Sequence, residues 1–406
     1  MRIVVWGINY APECIGIGPC NVAMCEHLAG QGCEITMLTA FAYYPEWRKR
    51  SIDRGRIFRS ERLNGIRVVR CWQYVPKHLN TLTRILHEFS FVSLSFLRLL
   101  FLPRPDLLIV ISPPLLAGAL AGWFCRAKCR KYLLHIQDLQ PDAAINLGML
   151  KSSLLIRGLK TLESIAYRGA WRISAISEGM LDILRKRGAD EAKLRYFPNG
   201  TDPIMGVPTG RFRVVNRLKP EAFLVVYSGN VGVKQGLENL VLAMRSILNP
   251  EIILIICGEG AAKSRLMEMA TGLANVIFKS VLNPADYREM LLEADLMVVS
   301  LASGSGNSFF PSKLLSAWAA AKPVLAICDA NSELAAVVTN NRCGVVVSQN
   351  KPKEISERLE QLSRRPKELE AMGSAGRELA DKFSWRRVLE KFVHEAGILD
   401  EARAGG

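Results

Sequence analysis

Short apolar runs, each stopped by glycine, proline or a polar cluster, recur along the whole chain. Amphipathic stretches of helical period lie between most of them. In the first half the runs predict strands at residues 3–7, 34–39, 66–71, 107–112, 132–137, 172–176 and 194–197. They are rich in Val, Ile and aromatics, and several are apolar throughout, the pattern of strands covered on both faces. Helical patterns at 21–31 and 177–187 each end at a glycine, Gly32 and Gly188,. The cycle then restarts, with strands predicted at 223–228, 252–257, 276–279, 296–300, 323–327 and 344–347. This is the pattern of doubly wound parallel sheets.

Between the two cycles, Pro198-Asn199-Gly200-Thr201-Asp202-Pro203 and Gly206-Val207-Pro208-Thr209-Gly210 are dense in turn formers and mark a linker,. With a length of 406 residues, this predicts two Rossmann-like domains, 1–203 and 204–384, with an amphipathic tail at 385–406 packing back on the first,. The duplication is most visible at two strand–glycine–helix junctions. Arg2-Ile3-Val4-Val5-Trp6-Gly7 leads to Ile15-Gly16-Ile17-Gly18, and Ala222-Phe223-Leu224-Val225-Val226-Tyr227-Ser228-Gly229-Asn230 leads to Gly232, Lys234 and Gly236. Two such units predict a cleft between domains, suited to a large anionic substrate.

Charge changes the picture in one respect. The net charge is +15, and residues 1–205 hold 28 Lys+Arg against 16 Asp+Glu, so the excess lies in the first half. No helix-turn-helix, zinc-finger or aromatic RNA-binding signature accompanies it, which argues against nucleic acid. The segment 76–105 is a long apolar helix pattern edged by Arg84, Arg98 and Arg104, suited to lying on an anionic membrane surface,. Residues 107–125 carry no charge, yet Ser112-Pro113-Pro114 interrupts them, so they predict strand, turn and helix and not a membrane span,. The N-terminus opens with a strand and shows no signal-peptide pattern. Ten scattered cysteines form no CxxC pair and no zinc set, as expected of reduced thiols, and no metal site is predicted,.

Three places could carry chemistry. Gly229-Asn230-Val231-Gly232-Val233-Lys234-Gln235-Gly236 follows a strand and precedes a helix beginning near Leu237. Its glycines permit close approach to phosphate and Lys234 offers a mobile charge. It is not a Walker A loop, lacking Gly-Lys-Ser/Thr. Pro311-Ser312-Lys313-Leu314-Leu315-Ser316 follows the polar loop Ser303–Ser308 and predicts a helix start, with Pro311 at the first helical position and an anion site at Ser312 and Lys313,. His135-Ile136-Gln137-Asp138 ends an apolar strand, where polar side chains face the crevice of an open α/β sheet, with Asp142 close by,. No GxSxG, HExxH or paired-carboxylate motif stands out, and the first glycine turn lacks GxGxxG, which disfavours hydride transfer.

These residues resemble retaining GT-B glycosyltransferases of family 4 over essentially the whole chain. More narrowly they resemble the colanic-acid-type exopolysaccharide transferases. The matching runs are Gly7-Ile8-Asn9-Tyr10-Ala11-Pro12-Glu13, Tyr43-Tyr44-Pro45-Glu46-Trp47, Leu134-His135-Ile136-Gln137-Asp138, Tyr227-Ser228-Gly229-Asn230-Val231-Gly232, Lys234-Gln235-Gly236-Leu237-Glu238-Asn239 and Pro311-Ser312-Lys313-Leu314. The resemblance implies a nucleotide-diphosphate sugar, UDP- or GDP-linked, as co-substrate with no further cofactor. It would be held by Gly229, Asn230, Lys234, Gly258, Ser312, Lys313, Leu314 and Ser316, with Gly16 and Gly18 closing from the first domain. His135, Lys234 and Asp138 are the expected catalytic residues, His135 near the reacting carbon. Asn230 stands where many members have arginine, which puts more of the diphosphate on Lys234. Ser308 and Ser316 stand where the family has its glutamate pair, so the ribose contact is expected to be weaker or reassigned.

The resemblance further implies sugar transfer to a polyprenyl-diphosphate-linked oligosaccharide, by a cytoplasmic enzyme peripheral on the inner membrane face, with retention at the anomeric carbon. The leaving diphosphate would assist attack, and the protein would stabilise its developing charge. Two other readings stay open on the sequence. One is a sugar-nucleotide epimerase or phosphorylase-like enzyme on the same fold. The other is an inactive donor-binding scaffold, suggested by Ser308 and Ser316.

Overall fold

The computed structural model describes residues 1–399 apart from 15, 45, 79, 130, 140–152 and 305–310, and of Leu155 the backbone only. The chain divides into two units, residues 1–199 with the chain from Trp385 onward, and residues 200–384.

In the first unit, eight strands form one sheet: β1 (Arg2–Trp6), β2 (Glu34–Ala40), β3 (Phe58–Leu63), β4 (Ile66–Cys71), β5 (Leu107–Ser112), β6 (Tyr132–Ile136), β7 (Arg172–Ala175) and β8 (Leu194–Tyr196), in the order β3-β4-β2-β1-β5-β6-β7-β8. Val4 pairs with Thr36 on one side and Leu108 on the other, both in parallel. Strands β1 and β5 are apolar and almost wholly buried, as a parallel sheet covered on both faces requires,. Strand β3 was not among the expected strands. It pairs antiparallel with β4 at the sheet edge, carries Arg59, Glu61 and Arg62, and is only half-buried, so its apolar signal is weak. The hairpin turn is Asn64-Gly65, both with positive φ, the backbone such a two-residue connection needs,.

The uncharged stretch after Asp106 folds as β5, a proline turn and the helix Leu115–Lys128. No helix among the described residues is long and apolar enough to cross a membrane. The helix Thr81–Leu100 starts with a reciprocal Asn80–Thr83 cap and is tied to β1 by Trp6 Nε1 donating to Ser95 Oγ at 2.9 Å,. The tail helix Trp385–Glu395 belongs to this unit, where Phe392 stacks on Phe197 at 3.7 Å between ring centroids.

In the second unit, β9 (Phe223–Ser228), β10 (Ile252–Cys257), β11 (Val276–Lys279), β12 (Leu296–Ser300), β13 (Val324–Ile327) and β14 (Gly344–Val347) form a parallel sheet in the order β11-β10-β9-β12-β13-β14. Alternation along β9 sends Leu224 and Val226 into the core on one face, Val225 and Tyr227 into the core on the other,. In each sheet the strand order reverses beside its first strand, between β1 and β5 and between β9 and β12. Ligands of open α/β sheets bind outside the carboxyl ends of the strands at such a reversal. The two glycine turns of the sequence follow β1 and β9.

Candidate active site

The turns after β9 and β10 pack so closely that both need glycine. Gly229 has φ +129°, and a Cβ there would lie 2.5 Å from Lys313 Cε. A Cβ at Gly258, after β10, would lie 1.9 Å from the Gly229 carbonyl oxygen, and one at Gly260 2.3 Å from that of Val231. The two loops therefore touch backbone to backbone. Gly229 N–H donates to Cys257 O at 2.8 Å and Val231 N–H to Glu259 O at 2.9 Å.

This close packing lays the Lys313 side chain across Gly229. The ammonium sits 5.3 Å from the centre of the Tyr227 ring, within cation–π range,. Among the described residues no carboxylate pairs with it, and burial pushes its pKa down to about 8,. A half-buried cation with no counter-ion among the described residues, beside a glycine turn at a strand-order reversal, is a place for an anion.

Lys234 sits in a 3-10 turn, Val233–Gln235, and the helix that follows begins only at Glu238. Its backbone is fixed, since Ala302 N–H, after β12, donates to Lys234 O at 2.8 Å. The fixing continues through two glutamines the sequence did not single out. Gln235 Oε1 accepts from Gly232 N–H at 3.1 Å and from the Asn230 amide at 3.4 Å. Gln235 O accepts from Ser300 Oγ at 2.6 Å, and the buried Gln349 donates to Ser300 Oγ at 3.1 Å and to Leu301 O at 2.7 Å.

Around this turn the expected contacts divide. Asn230 is exposed, as is Ser312, which is the first residue of the helix Ser312–Ala319, with Pro311 one position before it. Ser316 is half-buried on the same helix. Leu314 is a correction: its side chain lies in the core and its N–H donates to Pro311 O at 3.1 Å, so it holds the helix start and presents nothing to a ligand. Ser308 lies outside the described residues.

In the first unit, Gly16 has φ +71° and lies against Tyr44, whose Cε1 would be 3.4 Å from a Cβ. Gly18 admits no Cβ because Glu13 O would be 2.9 Å away. Glu13 is the organiser here. It is buried and accepts from Tyr43 N–H at 2.9 Å, Tyr44 N–H at 3.0 Å and Asn9 Nδ2 at 2.8 Å, clamping the segment after β2 to the turn after β1. Burial raises its pKa against the pull of those three hydrogen bonds,.

His135 also calls for correction. Expected near the reacting carbon, its ring lies beside the stacked pair Phe197 and Phe392, at 4.7 and 6.4 Å between centroids, and is only 1% exposed. Ser174 Oγ meets Nδ1 at 2.9 Å and Gln137 Nε2 meets Nε2 at 2.8 Å. Gln137 donates its other amide hydrogen to Asn199 Oδ1 at 3.0 Å, and Asn199 Nδ2 donates back at 2.9 Å. A neutral imidazole protonated on Nδ1 satisfies every partner. Burial pushes its pKa down to about 3, so the ring positions Gln137 and does not exchange protons near neutrality. Asp138 is half-buried, and Asp142 lies outside the described residues.

Of the three arginines expected to edge a membrane face, Arg84 pairs with Glu88 at 3.4 Å, Arg104 donates to Lys128 O at 3.2 Å and Arg98 is half-buried. A denser basic surface lies elsewhere. Residues 48–67 hold eight basic and two acidic residues. Arg59 pairs with both acids, at 3.0 Å each, and Arg70 also binds Glu61, while Arg48, Arg50, Arg54, Arg56 and Arg62 are exposed beside Ile52 and Ile57.

Two parallel α/β units, each with a glycine turn at its strand-order reversal, are the architecture of the GT-B fold, and solved structures of that fold agree. Sucrose-phosphate synthase of Thermosynechococcus elongatus superposes with a TM-score of 0.77 over 99% of both chains at 17% identity. HepE of Anabaena, solved in complex with UDP-glucose, superposes with a TM-score of 0.73 over 98% of this chain and 100% of its own, at 15% identity. By sequence, residues 16–200 match the glycosyl transferase 4-like domain and residues 209–379 the glycosyl transferases group 1 model. WcaI of Escherichia coli strain K12, named as a colanic acid biosynthesis glycosyl transferase, is 31% identical over 347 residues, 82% of this chain and 85% of its own. The chain belongs to the group 1 glycosyltransferases.

Proposed function

We propose that the chain transfers a sugar from a UDP- or GDP-linked donor, with retention, to a lipid-linked oligosaccharide of polysaccharide biosynthesis on the inner face of the cytoplasmic membrane. The observation that carries the donor half is Lys313, a half-buried ammonium with no carboxylate partner among the described residues, laid across Gly229 at the reversal between β9 and β12. The diphosphate would meet that ammonium and Lys234, and both would stabilise charge developing on the leaving group. The UDP-glucose complex of HepE supports a nucleotide-sugar donor. The name of WcaI supports a polysaccharide product. A lipid-held acceptor accords with the exposed apolar residues of the helix Thr81–Leu100, among them Leu82, Ile85 and Phe89, and with the basic segment 48–67,.

The test is a thermal-shift screen of UDP- and GDP-sugars on the purified protein, followed by donor hydrolysis with the sugar that binds. Lys234→Ala is expected to lower donor turnover by about 10²-fold or more, the scale of removing one main stabiliser of a developing anion. A folded Lys234→Ala protein with normal kcat would remove Lys234 from the phosphate site. A screen in which no nucleotide sugar stabilises the protein would overturn the donor assignment.

A further inference from the structure

The run Tyr43-Tyr44-Pro45-Glu46-Trp47 is not among the residues expected to hold the donor, yet its aromatic residues gather beside the Gly16 turn. Tyr43 and Trp47 lie 5.2 Å apart between ring centroids, both against His87, at 4.6 and 5.3 Å. Tyr44 meets Trp47 edge-on at 6.4 Å and also lines Gly16. Tyr44 and Trp47 are half-buried, so each keeps part of its ring open.

Two features of this cluster lack a purpose in packing alone. Trp47 has φ +49°, a backbone region a bulky side chain avoids, and such outliers gather at functional sites,. The second is His87, 2% exposed. Its Nδ1 is hydrogen-bonded to Tyr74 O, so the proton is there and Nε2 carries a lone pair,. That Nε2 is buried with no hydrogen-bond partner among the described residues. Lone pairs left unsatisfied in an aromatic setting are costly, and a donor brought by a ligand would relieve the cost.

Sugars carry both complements. One face of a pyranose presents C–H groups that pack on the electron-rich face of an aromatic ring, and its hydroxyls donate hydrogen bonds. We propose that Tyr44, Trp47 and His87 seat one pyranose ring of the acceptor, Trp47 taking its C–H face and His87 Nε2 accepting a hydroxyl proton. Glu13 holds the seat at a set distance from the Gly16 turn, because it binds the Tyr43 and Tyr44 amides directly. The inference rests on the reading of the chain as a sugar transferase, and it adds which side chains select the acceptor.

The experiment uses the full chain labelled with 5-fluorotryptophan, which gives seven tryptophan signals in fluorine NMR. The Trp47 signal is identified by its loss in Trp47→Phe. The probes are methyl β-D-glucopyranoside, methyl β-D-galactopyranoside and methyl α-L-fucopyranoside. At least one is expected to move the Trp47 signal alone, with a Kd between about 1 and 50 mM. His87→Leu is expected to weaken that binding about tenfold without lowering the unfolding temperature enough to account for it. If His87→Leu does not fold, Trp47→Leu read by saturation transfer to the glycoside makes the same comparison. Donor hydrolysis is measured on the same samples. A Trp47 response without donor turnover keeps the seat and overturns the transferase reading. Donor turnover with a silent Trp47 signal for all three glycosides overturns the seat, as does binding that His87→Leu leaves unchanged.

Discussion

Burial holds the Lys313 ammonium near pKa 8, so its charge, and with it the grip on an anion, is lost just above neutrality. The sign follows from linkage. A bound diphosphate favours the protonated form and raises that pKa, so affinity is full below pH 8 and falls as pH rises past it, by up to about tenfold per unit. The unliganded protein behaves oppositely. Its unfolded state binds the extra proton between pH 8 and the ordinary lysine value, so stability contributed by this group rises with pH across that window. The Kd of whichever nucleoside diphosphate binds, UDP or GDP, measured by calorimetry from pH 7 to 9.5, is expected to show this loss. Lys313→Arg, charged throughout, is expected to flatten it. A wild-type Kd that is flat across pH 8 would show that Lys313 does not meet the ligand. The place of Lys313 in the first turn of a helix was legible in the sequence, from the polar loop and Pro311 before it. His135 was legible only as a polar residue at a strand end. Its partners, Ser174, Phe197 and Phe392, come from three distant segments, and no local pattern distinguishes a ring that faces a crevice from one closed in by a tail helix.

At the scale of elements, the apolar runs located the interior strands because burial on both faces leaves a continuous signal. Strands β4, β5, β9, β10, β11, β12 and β14 coincide with the expected bounds, β2, β6, β7, β8 and β13 differ by a residue at one end, and β1 is shifted by one residue at both. The charged edge strand β3 escaped, although the Asn64-Gly65 pair marked its hairpin. The loop network behind Lys234 escaped for a different reason: Gln349 acts on Ser300 and Gln235 from far along the chain, and a glutamine carries no periodic signal. The glycine pair is the sharpest constraint at this scale. Gly258→Ala would drive a methyl to 1.9 Å from the Gly229 oxygen, from a backbone with φ +149°, so the turn after β9 must move. We expect a loss of about 2–4 kcal/mol in the second unit and loss of donor binding together. Calorimetric unfolding should then show one transition lowered and the other unchanged. A Gly258→Ala protein with wild-type stability and donor affinity would mean that these two loops are not in contact.

For the whole molecule, the basic excess of the first half has a location different from the one its helix pattern suggested. The helix Thr81–Leu100 exposes Leu82, Ile85, Leu86, Phe89 and Leu97, but Arg84 is paired with Glu88 and Arg98 is half-buried. A dense group of exposed charges is formed by Arg48, Arg50, Arg54 and Arg56, beside Ile52 and Ile57. An anionic membrane would be drawn to these residues, each worth about 1 kcal/mol near the surface, and the attraction would be screened by salt. Binding to vesicles containing phosphatidylglycerol is therefore expected to fall steeply between low and physiological ionic strength. Replacing Arg48, Arg50, Arg54 and Arg56 by glutamine should weaken it by about 10²-fold or more at low salt. Replacing Arg84, Arg98 and Arg104 should weaken it less, since the first and third already hold partners within the protein. Co-sedimentation of the purified chain with vesicles, at two salt concentrations and with both sets of substitutions, decides the matter. Equal losses from the two sets would return the contact to the helix. Absence of binding at low salt would remove the membrane from the account and leave the basic segment to an anionic glycan.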